Sequence, residues 1–516
     1  MTMFFLFFNA RTIFRDIYSS STYAAAPVFV IIYGFFLRVF YSTHSHMIFF
    51  DEYNRFKIVK LWLAGIFNYP LINDFPGPMM AYLLFYKLFG ATPDTGYGIS
   101  IGYYVASSII LYALVNRMWH SPSVTFFSLL LLAVYPINLL FAATHAAELP
   151  NMFFSLLAFY ACLIYIDKKD LPSLIFMASS FSFLLFMRIY NILFVLYLIC
   201  LSFSLSNKRS DSGENNPNRN ALNSYSILSP QIIFALMALI PFLAYLTLSY
   251  YSITEGSYSS HVTNISMPDH IKYFFVNILY FFDNRGNPVP LTFVVLFGIC
   301  VWHKSSFYSS DKRNVLMLAG WFFVCFLSHL SSVYNYCLVH QGNTSRYTID
   351  FHIPLLILTA VSIHNILIYS GKYHRSVKAL LFTMFVIYIA TLPVQYSHIV
   401  KFVTRNSDIV RIVTSTAEKY SSDTLLFTNA VLVSEAIVND LNKQITLTNQ
   451  RDTVQSLCEE RKCVFILMQS NEAINNSGIR GYCRGYFRSE FSTLLICSTE
   501  EAEMLPSNYF DFPDHF

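Results

Sequence analysis

Residues 44–90 read HSHMIFFDEYNRFKIVKLWLAGIFNYPLINDFPGPMMAYLLFYKLFG. The stretch follows a first apolar span and opens on an acidic pair, Asp51-Glu52, where a membrane protein ordinarily avoids fixed charge. A basic and aromatic segment follows (Arg55, Lys57, Lys60, Trp62), then a Pro-Gly-Pro break at 76–78 and a second apolar run. We read it as half of an active site at a membrane surface. The rest of the chain is expected to supply a bundle that holds it and a hydrophilic domain that covers it.

Composition sets the solvent. Of 516 residues 55% are hydrophobic and only 12% charged, with a mean hydropathy of +0.47. Soluble domains carry about 25% charged residues, so the chain reads as an integral membrane protein. A net charge of +4 suits basic cytoplasmic loops and excludes a nucleic-acid surface. The 51 Phe and 36 Tyr suit lipid-facing helices with interfacial anchors. Arg11 and Arg15 precede the first span and no small-residue cleavage site follows it, so 24–41 is expected to be a retained anchor.

A crossing helix needs roughly 20 mostly apolar residues. The candidates are 24–41, 99–116, 122–143, 149–166, 171–187, 189–206, 230–251, 289–303, 315–338, 350–369 and 377–396. The run 76–90 is short and interrupted by Pro76 and Pro78. If it does not cross and the N-terminus is cytoplasmic, Arg117, Lys168-Lys169, Lys208-Arg209-Arg219, Lys304-Lys312-Arg313 and Lys372-Arg375-Lys378 all fall inside. The expected fold is therefore a polytopic α-helical membrane protein of about eleven transmembrane helices, with juxtamembrane helices at 44–98 on the outer side. Segment 207–229 reads as a polar cytoplasmic loop, and loop 252–288 carries a stretch suited to an interfacial helix.

From about 397 the composition turns soluble. Short apolar runs (TLLFTNA, CVFILMQ, STLLICS) alternate with helical patterns at 407–420 and 430–442, the signature of a small α/β domain. Two domains are expected, 1–396 in the membrane and 397–516 outside the cytoplasm. Four of the nine cysteines lie in the second (Cys458, Cys463, Cys483, Cys497), where one or two disulfides such as Cys458–Cys463 are plausible. Cys162, Cys200, Cys300, Cys325 and Cys337 lie in spans and read as small packing residues.

Asp51 either pairs with Arg55 one helical turn on or serves as a general base, with Glu52 orienting it or holding an acceptor. An ordinary aspartate is ionised at neutral pH and is a weak base, which suffices where the leaving group needs little help, as with a phosphate. Glu148 and His145 sit in an expected outer turn, THAAELP. They are either interfacial residues reaching for water or acceptor-binding groups on the same outer cavity. One carboxylate and one His make no convincing metal set, so no resident cofactor is assigned, although a divalent metal is compatible. Arg346-Tyr347, in GNTSRYTIDFHIPLLIL, offers a fork for a phosphate at the mouth of span 350–369. Lys87 and Arg188 are further cations, and both read first as side chains snorkelling to the interface.

In order and sidedness these patterns resemble the GT-C superfamily of membrane glycosyltransferases. The branch they resemble includes the protein O-mannosyltransferases and the aminoarabinose transferase of lipid A. The likeness rests on FFDEYNRF after the first span, PGPMMAYLLFYKLFG, SRYTIDFHIPLLIL, and AVYPINLLFAATHAAELP with its acidic residue. Two departures stand out: Glu148 where the family pattern has Asp, and Pro-Gly-Pro in place of Pro-Pro-Leu. The resemblance implies Asp51 as catalytic base with Glu52 beside it, and Glu148 in the acceptor site. It implies that Arg346, with Lys87, holds the donor phosphate, and Tyr347 beside Arg346 is counted with the substrate-binding residues. The implied reaction is an inverting displacement on a polyprenyl-phosphate-linked sugar, with a lipid, glycan or protein hydroxyl as acceptor.

A transporter or lipid flippase is the chief rival. It is disfavoured because the charges sit at the outer ends of spans and no internal repeat is visible. A surface-polysaccharide polymerase or ligase, using His261, His270 and Arg285 of loop 252–288, is a third reading. Sequons at Asn264, Asn343 and Asn475 would matter only in an endoplasmic reticulum membrane. A bacterial inner membrane with a periplasmic site is the preferred compartment.

Overall fold

The computed structural model describes residues 25–42, 50–65, 76–135, 147–188, 191–208, 309–331 and 349–369, isolated positions at 12–16, 138–141 and 375–383, and five strands between 425 and 498. Among them the helices are α1 Ala25–Ser42, α2 Phe50–Leu63, α3 Pro76–Phe89, α4 Pro93–Trp119 and α5 Pro122–Ala133. They continue with α6 Glu148–Lys168, α7 Leu171–Met187, α8 Asn191–Lys208, α9 Ser309–Ser331 and α10 Ile349–Tyr369. Ala25–Ser42, Asp94–Trp119 and Glu148–Lys168 are long and apolar enough to cross a bilayer. The expected spans 230–251, 289–303 and 377–396, and the loop readings at 207–229 and 252–288, lie outside the described residues, apart from Lys208 at the end of α8 and isolated positions near 380.

One local device reverses the chain twice. Helix α4 ends where His120 turns left-handed (φ 48°), and Ser121 then caps α5 ahead of Pro122. Helix α6 ends the same way at Lys169 (φ 53°), and Asp170 accepts the Ser173 N–H at 2.9 Å to start α7. A left-handed residue stops a helix, and a capping side chain followed by proline starts the next, so both pairs fold back as antiparallel hairpins. Arg117 and Lys168 thereby share one end of the bundle. Asn314, in the first turns of α9, donates to the Met118 carbonyl at 2.5 Å and brings Lys312 and Arg313 to that same end. Among the described residues, four of the basic residues grouped from the sequence thus lie at one end: Arg117, Lys168, Lys312 and Arg313.

That end is tied to the N-terminal segment. Arg117 bridges Asp16 (2.6 Å) and Asp167 (2.8 Å), Tyr160 donates to Asp16 at 2.8 Å, and Lys168 donates to Thr12 at 3.0 Å. Asn116 donates to the Asp16 carbonyl.

Between lipid tails, helices gain little from removing apolar surface and associate by close packing and polar contacts. Helix α6 is central, buried on every face from Glu148 to Ile166. Trp321 of α9 is stacked between Phe159 of α6 and Phe194 of α8, with ring centroids 4.9 Å away on either side.

Helix α3 has 14 residues, about 20 Å of rise, too short to cross. It packs α2 through Phe56, Ile58, Val59, Met79, Tyr82 and Tyr86. Tyr82 bonds Ser100 of α4 at 2.7 Å, and Tyr103 donates to the Ala81 carbonyl at 3.1 Å. Its first turn presses so closely on α7 that a Cβ on Gly77 would strike the Phe186 carbonyl. The Pro-Gly-Pro break is therefore a packing requirement as well as a helix start.

The expected span 122–143 is corrected. Helix α5 ends at Ala133, three residues before Pro136, a residue type that has no N–H to continue the helical ladder. Arg38 of α1, fully buried, takes over. It donates to Leu132 at 3.3 Å, Ala133 at 3.1 Å and Gly34 at 2.9 Å, with its guanidinium 3.3 Å from the centroid of the Tyr104 ring.

In the C-terminal part five strands are described: β1 Leu425–Thr428, β2 Ile445–Thr446, β3 Cys463–Ser470, β4 Arg484–Arg488 and β5 Ser492–Ser498. They form one mixed sheet in the order β2-β1-β3-β5-β4. β1 runs parallel to both β2 and β3, while β5 is antiparallel to β3 and β4. Parallel neighbours require crossover connections, here 429–444 and 447–462. Those connections, the helical patterns at 407–420 and 430–442, and Cys458 lie outside the described residues. Of the span cysteines, Cys162 and Cys325 are buried as expected, but Cys200 is exposed.

Candidate functional site

Polar side chains converge at the end of the bundle opposite Arg117. The α6–α7 hairpin returns the chain after two helix lengths, so Arg188, the C-cap of α7, arrives beside Glu148, the first residue of α6. A carboxylate at a helix N-terminus and a guanidinium at a helix C-terminus each complement the local helix dipole. The two form an ion pair, with Glu148 2% and Arg188 8% exposed. Arg188 is thus a correction: it does not reach for the interface but is buried against Glu148. Glu148 likewise starts a helix inside the protein and does not lie in a water-facing turn.

Three more residues complete a collar. Asn151, one turn into α6, donates to Asp350 in the first turn of α10 at 2.5 Å. Asn191, opening α8, donates to Asn151 at 2.7 Å and to the Leu184 carbonyl at 2.8 Å. Asp350 is 4% exposed, and both Arg188 and Glu148 act on it electrostatically. On the other side of α10, His352 bonds Tyr135, which the break in α5 releases. Beside it Asn138 donates to the Met152 sulfur at 3.4 Å.

The expected site residues fall as follows. Glu148 is in the collar. Asp51 and Glu52 are the second and third residues of α2, and their side chains lie outside the described part, as do His145, Arg346 and Tyr347. Lys87 is exposed in the last turn of α3, some 15 Å along the helix from the Gly77 contact with α7, so it is not brought to the collar. On α2, Lys60 lies 4.7 Å from the Phe56 ring centroid, and burial lowers its pKa from the ordinary lysine value. Among the described residues no group of three His, Cys, Asp or Glu is placed to hold a metal ion.

Asp350, His352, Asn151, Asn191 and Arg38 were not singled out from sequence. Asp350 and His352 sit inside the quoted SRYTIDFHIP, and Arg38 is a lone cation inside the first apolar run. An ionisable residue within an apolar span is itself the available signal.

No family model matches the chain, and no curated protein sequence does. Its structure is similar to that of ArnT from Cupriavidus metallidurans bound to undecaprenyl phosphate. That match has a TM-score of 0.53 and 10% identity, and it covers 91% of this chain and 97% of that one. The apo state of the same protein gives a TM-score of 0.52 and 11% identity, with coverage of 92% and 98%. The resemblance read from short motifs and the similarity of folds thus point the same way: the chain has a membrane fold similar to that of ArnT.

Proposed function

We propose that the protein is a membrane glycosyltransferase that moves a sugar from a polyprenyl phosphate to an acceptor hydroxyl on the outer side of the membrane. One observation carries this reading: a buried carboxylate–guanidinium collar at one end of a bundle whose fold is that of ArnT, a protein solved with undecaprenyl phosphate bound.

In this reading Asp51, beside Glu52, takes the proton of the acceptor hydroxyl as its oxygen attacks the anomeric carbon. The carbon–oxygen bond to phosphate breaks on the opposite face, and polyprenyl phosphate leaves with the bonding pair. Arg346, with Tyr347, balances the charge on the leaving phosphate. Glu148 and His145 shape the acceptor side. In sequence, Arg346 precedes Asp350 by four residues and His145 precedes Glu148 by three. Such a site works by positioning and charge stabilisation. Residues 1–396 form the catalytic unit, 397–516 form an extracytoplasmic α/β domain, and the membrane is a bacterial inner membrane.

The test needs no acceptor. Purified protein is titrated with undecaprenyl phosphate, dolichyl phosphate and their sugar conjugates while thermal unfolding is followed, because a ligand of the folded state raises the Tm. Stabilisation by these lipids, reduced in Arg346→Ala, is expected. No shift across the panel would return the fold to a transporter or flippase reading.

A further inference from the structure

The most heavily buried charge in the described part of α1 has no role in the reaction outlined above. Arg38 is 0% exposed in an apolar span, a placement that is costly unless its donors are used. Its two terminal nitrogens donate to the carbonyls of Leu132 and Ala133 at the end of α5 and to Gly34 on its own helix. Tyr104 holds the guanidinium from the ring face. That ring can approach only because residue 34 has no side chain, since a Cβ there would overlap the Tyr104 hydroxyl. Irregular backbone at membrane depth survives only where its polar groups are satisfied by protein or line a cavity. Just past the break stands Tyr135, bonded to His352, two residues along α10 from Asp350.

We infer that Arg38 is a positioning residue for the collar: by holding the open C-terminus of α5 it delivers Tyr135 to His352 and so sets the approach of α10 to α6. Without the fork the carbonyls of Leu132 and Ala133 seek other donors, the turn after Ala133 shifts, and Tyr135 leaves His352. The first span thereby reaches the site through the break, about 95 residues away in sequence. The contacts stand whatever the reaction is; only the lipid-binding readout below rests on the proposed function.

The experiment joins positions 135 and 352. Full-length protein in detergent carries Tyr135→Cys and His352→Cys, and oxidative cross-linking is quantified by peptide mass spectrometry. The arms are Arg38, Arg38→Lys and Arg38→Met. Losing one hydrogen bond to a charged donor shifts such a population by about tenfold or more. Cross-linking is expected to fall by about that factor in Arg38→Met, with Arg38→Lys intermediate because a single ammonium cannot fork. In the background without added cysteines, the Tm increase given by undecaprenyl phosphate should fall in the same order. Arg38→Lys keeps the charge and serves if Arg38→Met fails to fold. Unchanged cross-linking in a folded Arg38 variant would overturn the inference. Cross-linking lost in step with the Arg38 variants, with no lipid stabilisation even of wild type, would leave Arg38 in place and remove the glycosyltransferase reading.

Discussion

Arg188 closes an ion pair with Glu148 across forty residues, the full length of an antiparallel helix hairpin. The pair joins the C-terminus of α7 to the N-terminus of α6 where almost no water reaches. Removing one partner of a buried pair leaves an uncompensated charge, a cost of about 3–5 kcal/mol, whereas replacing both by apolar residues is often neutral. Arg188→Met and Glu148→Leu should therefore each lower the Tm strongly, and the double variant should regain most of it. Recovered stability without recovered lipid binding would mark the pair as part of the site.

The ladder Asn191–Asn151–Asp350 predicts coupling. Asn151 uses its amide N–H on Asp350 and its carbonyl oxygen on Asn191. Asn151→Leu breaks both contacts and should cost about 2–3 kcal/mol, the loss from stranding buried polar groups. A double-mutant cycle on thermal unfolding should show Asn151→Leu and Asp350→Leu to be non-additive; strict additivity would mean the two do not interact.

Gly77→Ala should destabilise by about 1–3 kcal/mol, because the new methyl meets backbone of α7 that cannot turn aside. Gly98→Ala is the contrast. Nothing lies within 4 Å of a Cβ there, and it is interior to α4, so it should raise stability by about 0.5–1 kcal/mol. Equal effects at the two sites would contradict the close approach of α3 to α7.

Asp51→Asn should leave expression, Tm and donor-lipid stabilisation as in wild type while abolishing transfer, since it removes a base with little change in shape. The measurement is product formation from a polyprenyl-phosphate sugar once an acceptor is in hand. Activity near wild type would mean that another group is the base.

Asp16 anchors the N-terminal segment through Arg117, Tyr160 and Asn116, while Arg15 beside it keeps its side chain 66% exposed. Asp16→Ala should speed trypsin cleavage at Arg15, read by mass spectrometry. Cleavage in inside-out vesicles only would place this end in the cytoplasm; cleavage in right-side-out vesicles only would invert the assigned sidedness.

Much of the frame was legible because lipid leaves the backbone few options. A run such as 171–187 must form a helix in an apolar solvent, and the structure starts and ends it at those residues. The strands at 425–428, 463–470 and 492–498 were visible in their apolar runs, whereas the two-residue β2 and the bulged β4 offered no such pattern. Glu148 stood out because a carboxylate beside an apolar span demands explanation. Arg188 stood out too, yet as a single residue it reads as a snorkelling cation. Its burial depends on a partner forty positions away.

What the residues determined by themselves is therefore local: helix against strand, and the prolines in the first turns of α4, α5 and α7. Each follows from backbone sterics within a few positions. What only the tertiary structure decided is which polar groups meet. Glu148 with Arg188, Asp350 with Asn151, and Arg38 with the last carbonyls of α5 bring together different helices, and their registry is set by packing and by the cost of leaving a buried charge unpaired.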